Sequence, residues 1–197
     1  MARATGTKRA ILDATLELAA TKGISGTTMD EVAERAGVAK GSLYYNFSSK
    51  DRLFEELLQE GVGALAETLR AASAGLHGSS ALEALVRALL DRIAENTALS
   101  KLMAAEIFRT DRTWQKTLFA LRHEALAVFA EAIGEAQPRS RADGTCGLMA
   151  SSVFGAVLMA GLEWLVFEPG RSPDEVVRAI LGSLAGGLFG EEPPGPR

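Results

Sequence analysis

The sequence predicts an all-α protein, and three observations predict it. Apolar residues recur at helical spacing through the 197 residues, as in Ile11, Ala14, Thr15, Leu18 and Ala19, which share one helical face. No run of apolar and polar alternation bounded by hairpin turns is present. Helix starts are legible as a hydroxyl residue followed three positions later by an acid, which is the reciprocal pattern of a capping box.

Taken in order, these signals predict about nine helices, near 5–22, 28–35, 39–45, 49–74, 80–97, 99–109, 112–136, 144–167 and 173–189. The first stops at Lys22-Gly23, with the glycine just past the helix end. Thr28 with Glu31, or Thr27 with Asp30 one residue earlier, opens the second, Ser48 with Asp51 the fourth and Ser80 with Glu83 the fifth. Asp111 and Asp143 are expected as caps of the seventh and eighth. Ser172, Pro173 and Glu175 open the last, with proline at its first position. Two domains are expected, 1–52 and 53–190, with 191–197 as a disordered Pro/Gly-rich tail.

Composition narrows the function. An apolar fraction of 47% is enough for a folded core, which argues against wholesale disorder. The single cysteine, Cys146, excludes an internal disulfide and a cysteine-only zinc site, and fits a reducing cytoplasm. The amino terminus has no apolar stretch behind its charges, so no leader is expected. Two histidines, no metal-ligand spacing and no phosphate-binding glycine loop leave little for catalysis, so neither an enzyme nor a cofactor is expected. The net charge of −4 argues against a nucleic-acid partner until its distribution is considered. Arg3, Lys8, Arg9, Lys22, Arg35, Lys40, Lys50 and Arg52 outnumber Asp13, Glu17, Asp30, Glu31, Glu34 and Asp51 within residues 1–52. A basic head on an acidic body suits a DNA-binding domain joined to a regulatory one.

The stretch Thr27–Lys50 carries the sharpest pattern. Met29, Val32, Ala33 and Ala36 form the apolar face of a short helix, and Ala36-Gly37-Val38 makes a tight turn. A second short helix turns Leu43 and Phe47 inward and leaves Lys40, Gly41, Ser42, Tyr44, Tyr45 and Asn46 outward. Such a helix fits the major groove of duplex DNA. Over residues 8–55 this segment resembles the DNA-binding domain of the tetracycline-repressor (TetR) family. The matching residues are Thr27-Thr28, Val32-Ala33, Ala36-Gly37-Val38, Gly41-Ser42-Leu43-Tyr44-Tyr45, Phe47 and Lys50. The resemblance implies that Thr27, Thr28, Tyr44 and Lys50 contact phosphate. It implies that Lys40, Gly41 and Ser42 face base edges, and that Tyr45 lies on backbone or a thymine methyl. Asn46 stands where the family usually has histidine, which weakens the phosphate contact at that position.

One recognition helix reads few base pairs, so a homodimer on palindromic double-stranded DNA is expected. Ser152, Ala156 and Ala160, and Gly182 and Gly186, form small-residue ridges at spacing four, suited to close helix packing between chains. The resemblance implies a four-helix bundle there. A membrane span is the rival reading of the uncharged run 144–162; small and polar positions within it and sparse flanking bases weigh against it. The resemblance also implies a small-molecule cavity, repression and release by an apolar or amphipathic effector. Met103, Phe108, Trp114, Phe119 and Phe154 are candidate apolar contacts, and Glu106, His123 and Glu163 are candidate polar ones, because each lies on an otherwise apolar face. A DNA-binding protein without an effector is the remaining alternative.

Overall fold

A computed structural model describes residues 2–106, 109 and 113–188, and the surroundings of side chains for 6–106, 109 and 113–184. Among the described residues the chain is helical and contains no strand. The helices are α1 (Ala2–Gly26), α2 (Met29–Arg35), α3 (Lys40–Asn46), α4 (Lys50–Val62), α5 (Leu65–Ser73), α6 (Gly78–Glu95), α7 (Thr97–Glu106), α8 (Gln115–Ala136), α9 (Pro138–Ala142), α10 (Cys146–Phe167) and α11 (Pro173–Leu188). The all-α expectation holds. The expected cap Asp111 and the expected effector contact Phe108 lie outside the described residues.

The helices form two units. The described residues up to Ala64 group with those of 98–121, and the described residues of 65–97 group with those from Arg122 onward. The sequence boundary at residue 52 does not contain this grouping, because Leu99, Leu102, Met103, Trp114 and Leu118 share one core with Leu53, Phe54, Leu57 and Leu58. Phe54 and Trp114 meet ring to ring at 5.8 Å, and the Thr117 hydroxyl donates to Glu55 Oε1 at 2.9 Å.

In this first unit α1 supplies Ile11, Leu12 and Ala19, all buried as its spacing predicts. Thr15 is buried with them because its hydroxyl donates to the Ile11 carbonyl at 2.7 Å. Lys8–Glu56 and Arg9–Glu60, each at 2.6 Å, tie α1 to α4. The expected stop at Gly23 is where the backbone leaves the helix, at φ 71 and ψ 165, before one further turn to Gly26. That conformation is open essentially to glycine alone.

The predicted helix 49–74 is two helices. Gly63 interrupts it, donating to the Gln59 carbonyl at 2.8 Å, and a Cβ there would collide with that same oxygen. The amphipathic pattern continues across the break, so periodicity alone does not reveal it. Several expected caps also move. Ser49, not Ser48, caps α4 by accepting from the Arg52 amide. α6 starts at Gly78 after His77, ahead of Ser80. Asp143 ends the unexpected short helix α9 instead of starting α10. Two boxes form as read: Thr28 with Glu31, and Ser172 with Glu175. The Ser172 amide, then its hydroxyl, hold the Glu175 carboxyl below its ordinary range.

The second unit is built round α6. Leu82, Leu85, Val86, Leu89, Leu90 and Ile93 meet Phe129 and Ile133 of α8, Val153 and Val157 of α10, and Val177 and Ile180 of α11. Phe129 and Phe154 cross edge to face at 6.3 Å. Gly161 lets α10 approach α6, since a Cβ there would sit 3.0 Å from a Leu90 methyl. Arg87 and Asp174 pair at 2.6 Å on the surface between α6 and α11.

Gly23→Ala should destabilise the chain by about 1–3 kcal/mol, the ordinary cost of forcing a side chain into this backbone region. Its substituent meets only open space, so the loss is conformational and not steric. Urea denaturation measures it; unchanged stability would show that the chain relaxes round the kink.

Candidate functional site

The geometry of the amino-terminal helices follows from how little they bury. α3 has seven residues, too few to persist alone. Leu43 is fully buried and Phe47, just past the helix, is 4% exposed; these two anchors fix the roll of the helix. α2 delivers the chain to it through Gly37, at φ 66. Gly37 N–H reaches the Glu34 carbonyl and Val38 N–H reaches that of Ala33, while the Val38 side chain packs on the core. The outward face of α3 is what those anchors leave over. Tyr45 is 90% exposed and Tyr44 half-exposed, which puts two phenols on the surface where a core reading would bury them. Lys40 and Gly41 are exposed and Ser42 is partly so.

Several expected contacts are occupied within the chain. Lys40 Nζ pairs with Asp30 Oδ2 of α2 at 2.7 Å, and the carboxylate raises the Lys40 pKa above its ordinary value. Both partners are well exposed, so the pair is weak and yields readily to a stronger anion. Lys50 Nζ donates to the Ser25 carbonyl at 3.2 Å. The Asn46 amide donates to the Ser42 carbonyl at 2.8 Å, so one of its donors serves its own helix. Thr27 requires a correction. It is 1% exposed, and its hydroxyl donates to the Gly23 carbonyl at 2.9 Å, so its side chain closes the α1–α2 corner and does not reach outward to a phosphate. Thr28 is exposed at the cap of α2.

The candidate effector residues are divided between the two units. Met103, Glu106 and Trp114 are buried in the first unit. Glu106 lies 3.9 Å from the Arg109 guanidinium. Phe119, in the same unit, is 45% exposed. His123 and Glu163 are exposed in the second unit, which removes the reading of each as a polar group enclosed on an apolar face. Phe154 packs on Phe129 as a core residue. The sequence reading missed Gln115. It is 8% exposed at the start of α8, and among the described residues no group hydrogen-bonds to its Oε1 or Nε2. Leaving a buried amide unsatisfied costs on the order of 1–3 kcal/mol. Nothing in the sequence signals this, since glutamine at a helix start ordinarily faces solvent.

The carboxyl-terminal helices present a second surface. α10 is 22 residues of mean hydropathy 1.7, long and apolar enough to cross a membrane, yet only 28% of its most apolar stretch is buried. Its uncovered face runs through Leu148, Ser152, Met159, Glu163 and Phe167. Ser152 is thus exposed, and Gly182 of α11 opens onto free space. Ala156 and Ala160 instead line a groove of about 280 Å³ against α11, with Glu163, Trp164 and Arg171 at its polar end. Gly186 lies within α11, beyond the residues whose surroundings are described. The exposure of Leu148, Met159 and Phe167 has no signal in the sequence, because a helix apolar all round shows no preferred face.

Residues 11–57 match the family model described as bacterial regulatory proteins, tetR family. The chain is 35% identical over 82 residues to the HTH-type transcriptional repressor KstR2 of Rhodococcus jostii, a match over 41% of this chain and 40% of that one. It therefore matches about two fifths of that relative's length. A Clostridium perfringens protein described as a candidate fatty acid metabolism regulator superposes with a TM-score of 0.76 at 26% identity, over 92% of this chain and all of the other. FadR of Bacillus subtilis, solved in complex with stearoyl-CoA, gives 0.73 at 17% identity over 92% and 99%, a likeness of fold. Residues 11–57 therefore form a domain of the tetR family of bacterial regulatory proteins, and over 92% of its length the chain shares the fold of such a regulator.

The cap of α2 responds to acid. Lys22, hydrogen-bonded at 2.6 Å, and then the Thr28 hydroxyl and amide lower the Glu31 carboxyl from its ordinary 4.5 to about 2. A carboxyl depressed in this way stabilises the fold above its ordinary value, and the contribution disappears as pH falls from about 4.5 to about 2. Glu31→Gln should flatten the acid limb of stability in that window, read by denaturation at low salt. An unaltered limb would show that the box contributes nothing.

Proposed function

We propose that this chain is a ligand-responsive transcriptional repressor that binds palindromic operator DNA as a homodimer and is released by a small apolar or amphipathic effector. The observation that carries the reading is the outward face of α3, with Tyr45 at 90% exposure over a helix held by Leu43 and Phe47. Gly41 supports it. A Cβ there would meet nothing within the chain, yet glycine costs about 1 kcal/mol against alanine in a helix. Its small size suits close approach of the α3 backbone to a base pair. Lys40 and Ser42 face base edges in this reading, and Thr28, Tyr44 and Lys50 engage phosphates.

The uncovered face of α10, with Gly182 and Gly186 on α11, is where a second copy packs. A protein partner fits that face better than lipid, because Ser152 and Glu163 lie on it. Two recognition helices about 34–36 Å apart then address successive turns of one duplex. An effector that binds better to another spacing shifts the population off DNA, and DNA weakens the effector in turn. KstR2 is named a repressor, and the Bacillus subtilis structure is named as a complex with stearoyl-CoA. These support repression and an amphipathic effector. The relatives are named as regulators and we assign no catalytic role. The single cysteine fits a cytoplasmic setting.

The test uses duplexes selected from a random pool by the purified protein. Tyr45→Ala and Lys40→Ala should each cost about 1–3 kcal/mol of binding and relax sequence preference. Lys50→Ala should weaken all duplexes alike and lower the salt slope by about one. Failure to select any duplex, or Tyr45→Ala with unchanged affinity and preference, would overturn the reading.

A further inference from the structure

Gln115 is a buried amide that the fold does not satisfy. Its side chain is 8% exposed, and neither polar atom meets a hydrogen-bond partner among the described residues. Native proteins pair the great majority of such groups, so an orphaned pair of atoms on one side chain calls for a partner from outside the fold. Its chain neighbours Trp114, one residue before, and Leu118, about one turn on, both belong to the core of the first unit. A carboxamide presents a donor beside an acceptor and pairs best with a group that presents the reverse. The first turn of α8 is also joined to α4, through the Trp114–Phe54 ring contact and the Thr117–Glu55 hydrogen bond. α4 follows directly on α3, so a group that engages Gln115 acts one contact away from the helix that supports the recognition helix.

We propose that Gln115 is the polar anchor of an effector whose neutral head carries a hydrogen-bond donor beside an acceptor on an apolar body. A primary or secondary amide, a lactam or an undissociated carboxyl has that chemistry. The proposal rests on the ligand-responsive reading above and names the chemistry of its site. A site built to pair both functions rejects an analogue that lacks one, because the analogue leaves a buried group unpaired.

Two matched probe pairs test it: decanamide against methyl decanoate, and 2-naphthamide against methyl 2-naphthoate. Each ester keeps the acceptor and lacks the donor. Calorimetry and the shift in melting temperature measure binding to the full-length protein. In at least one pair the amide should bind tenfold or more tightly than its ester. Gln115→Met, which removes both polar atoms at similar volume, should bind the two members within twofold of each other. It should melt no lower than the parent and bind selected duplexes as before. Equal binding of both members by the parent, binding of neither pair, or discrimination retained in Gln115→Met would overturn the proposal. So would a Gln115→Met protein that melts well below the parent, since the amide would then be structural. Failure of the regulator reading is distinct: amide binding lost in Gln115→Met, with DNA retained by the parent at saturating amide, leaves the site standing and removes its link to repression.

Discussion

The burial of Leu43 and Phe47 is the constraint on which the amino-terminal half depends. α3 is two turns long and has no side-chain cap, so it has no stability of its own. What holds it is a small core shared with α1, α2 and α4, in which Ile11, Val32, Leu53 and Phe54 are wholly buried. The same two anchors determine which residues cannot turn inward. Tyr44, Tyr45, Lys40 and Gly41 are left at the surface because Leu43 turns inward from the helix and Phe47, just past its end, turns inward with it. The polar ties round this core, such as Lys8–Glu56 and Arg35–Glu17, are exposed and add orientation more than stability.

The carboxyl-terminal half poses the opposite problem, since it has more apolar surface than it buries. α10 covers α6 with Val153, Val157 and Gly161 and leaves Leu148, Met159 and Phe167 in the open. Exposed apolar residues scattered singly need no explanation, but three on one face of one helix form a patch. In the proposed reading a second copy of the chain covers this patch, by the isologous contact common to two-fold dimers. Pairing copies also doubles the number of recognition helices, which suits a DNA reader whose single helix spans only a few base pairs. α8 contributes its first turns to one unit and the remainder to the other. Gln115 and Thr117 lie in those first turns, which places the orphaned amide on the side of α8 that belongs with α4.

Legibility in the sequence tracked the range of the interactions. Thr28 with Glu31, Gly23 and Gly37 act over three to five residues, and each does in the fold what its local pattern implies. The face of α3 was legible because its polar residues and its two anchors alternate within one short segment. The break at Gly63 was hidden because hydrophobic periodicity runs across it, and α9 because five residues leave no periodic signal. Thr27 was misjudged because a threonine before a capping box looks exposed until the kink at Gly23 supplies its hydroxyl with a carbonyl. His123 and Glu163 were misjudged because helical spacing reveals which residues share a face and not whether another element covers it. Gln115 could not be found by any pattern, since its burial depends on contacts among segments far apart in the chain.

The central claim is that paired copies present α3 to one duplex together. The most direct measurement is the electron–electron distance between nitroxide labels placed at exposed Ser48, with Cys146 replaced by serine, in the protein bound to a selected duplex. The account predicts one narrow distribution consistent with recognition helices one helical turn apart, about 34–36 Å centre to centre, or a whole multiple of that spacing. Absence of dipolar coupling on DNA, or a broad distribution that matches no number of turns, would contradict it.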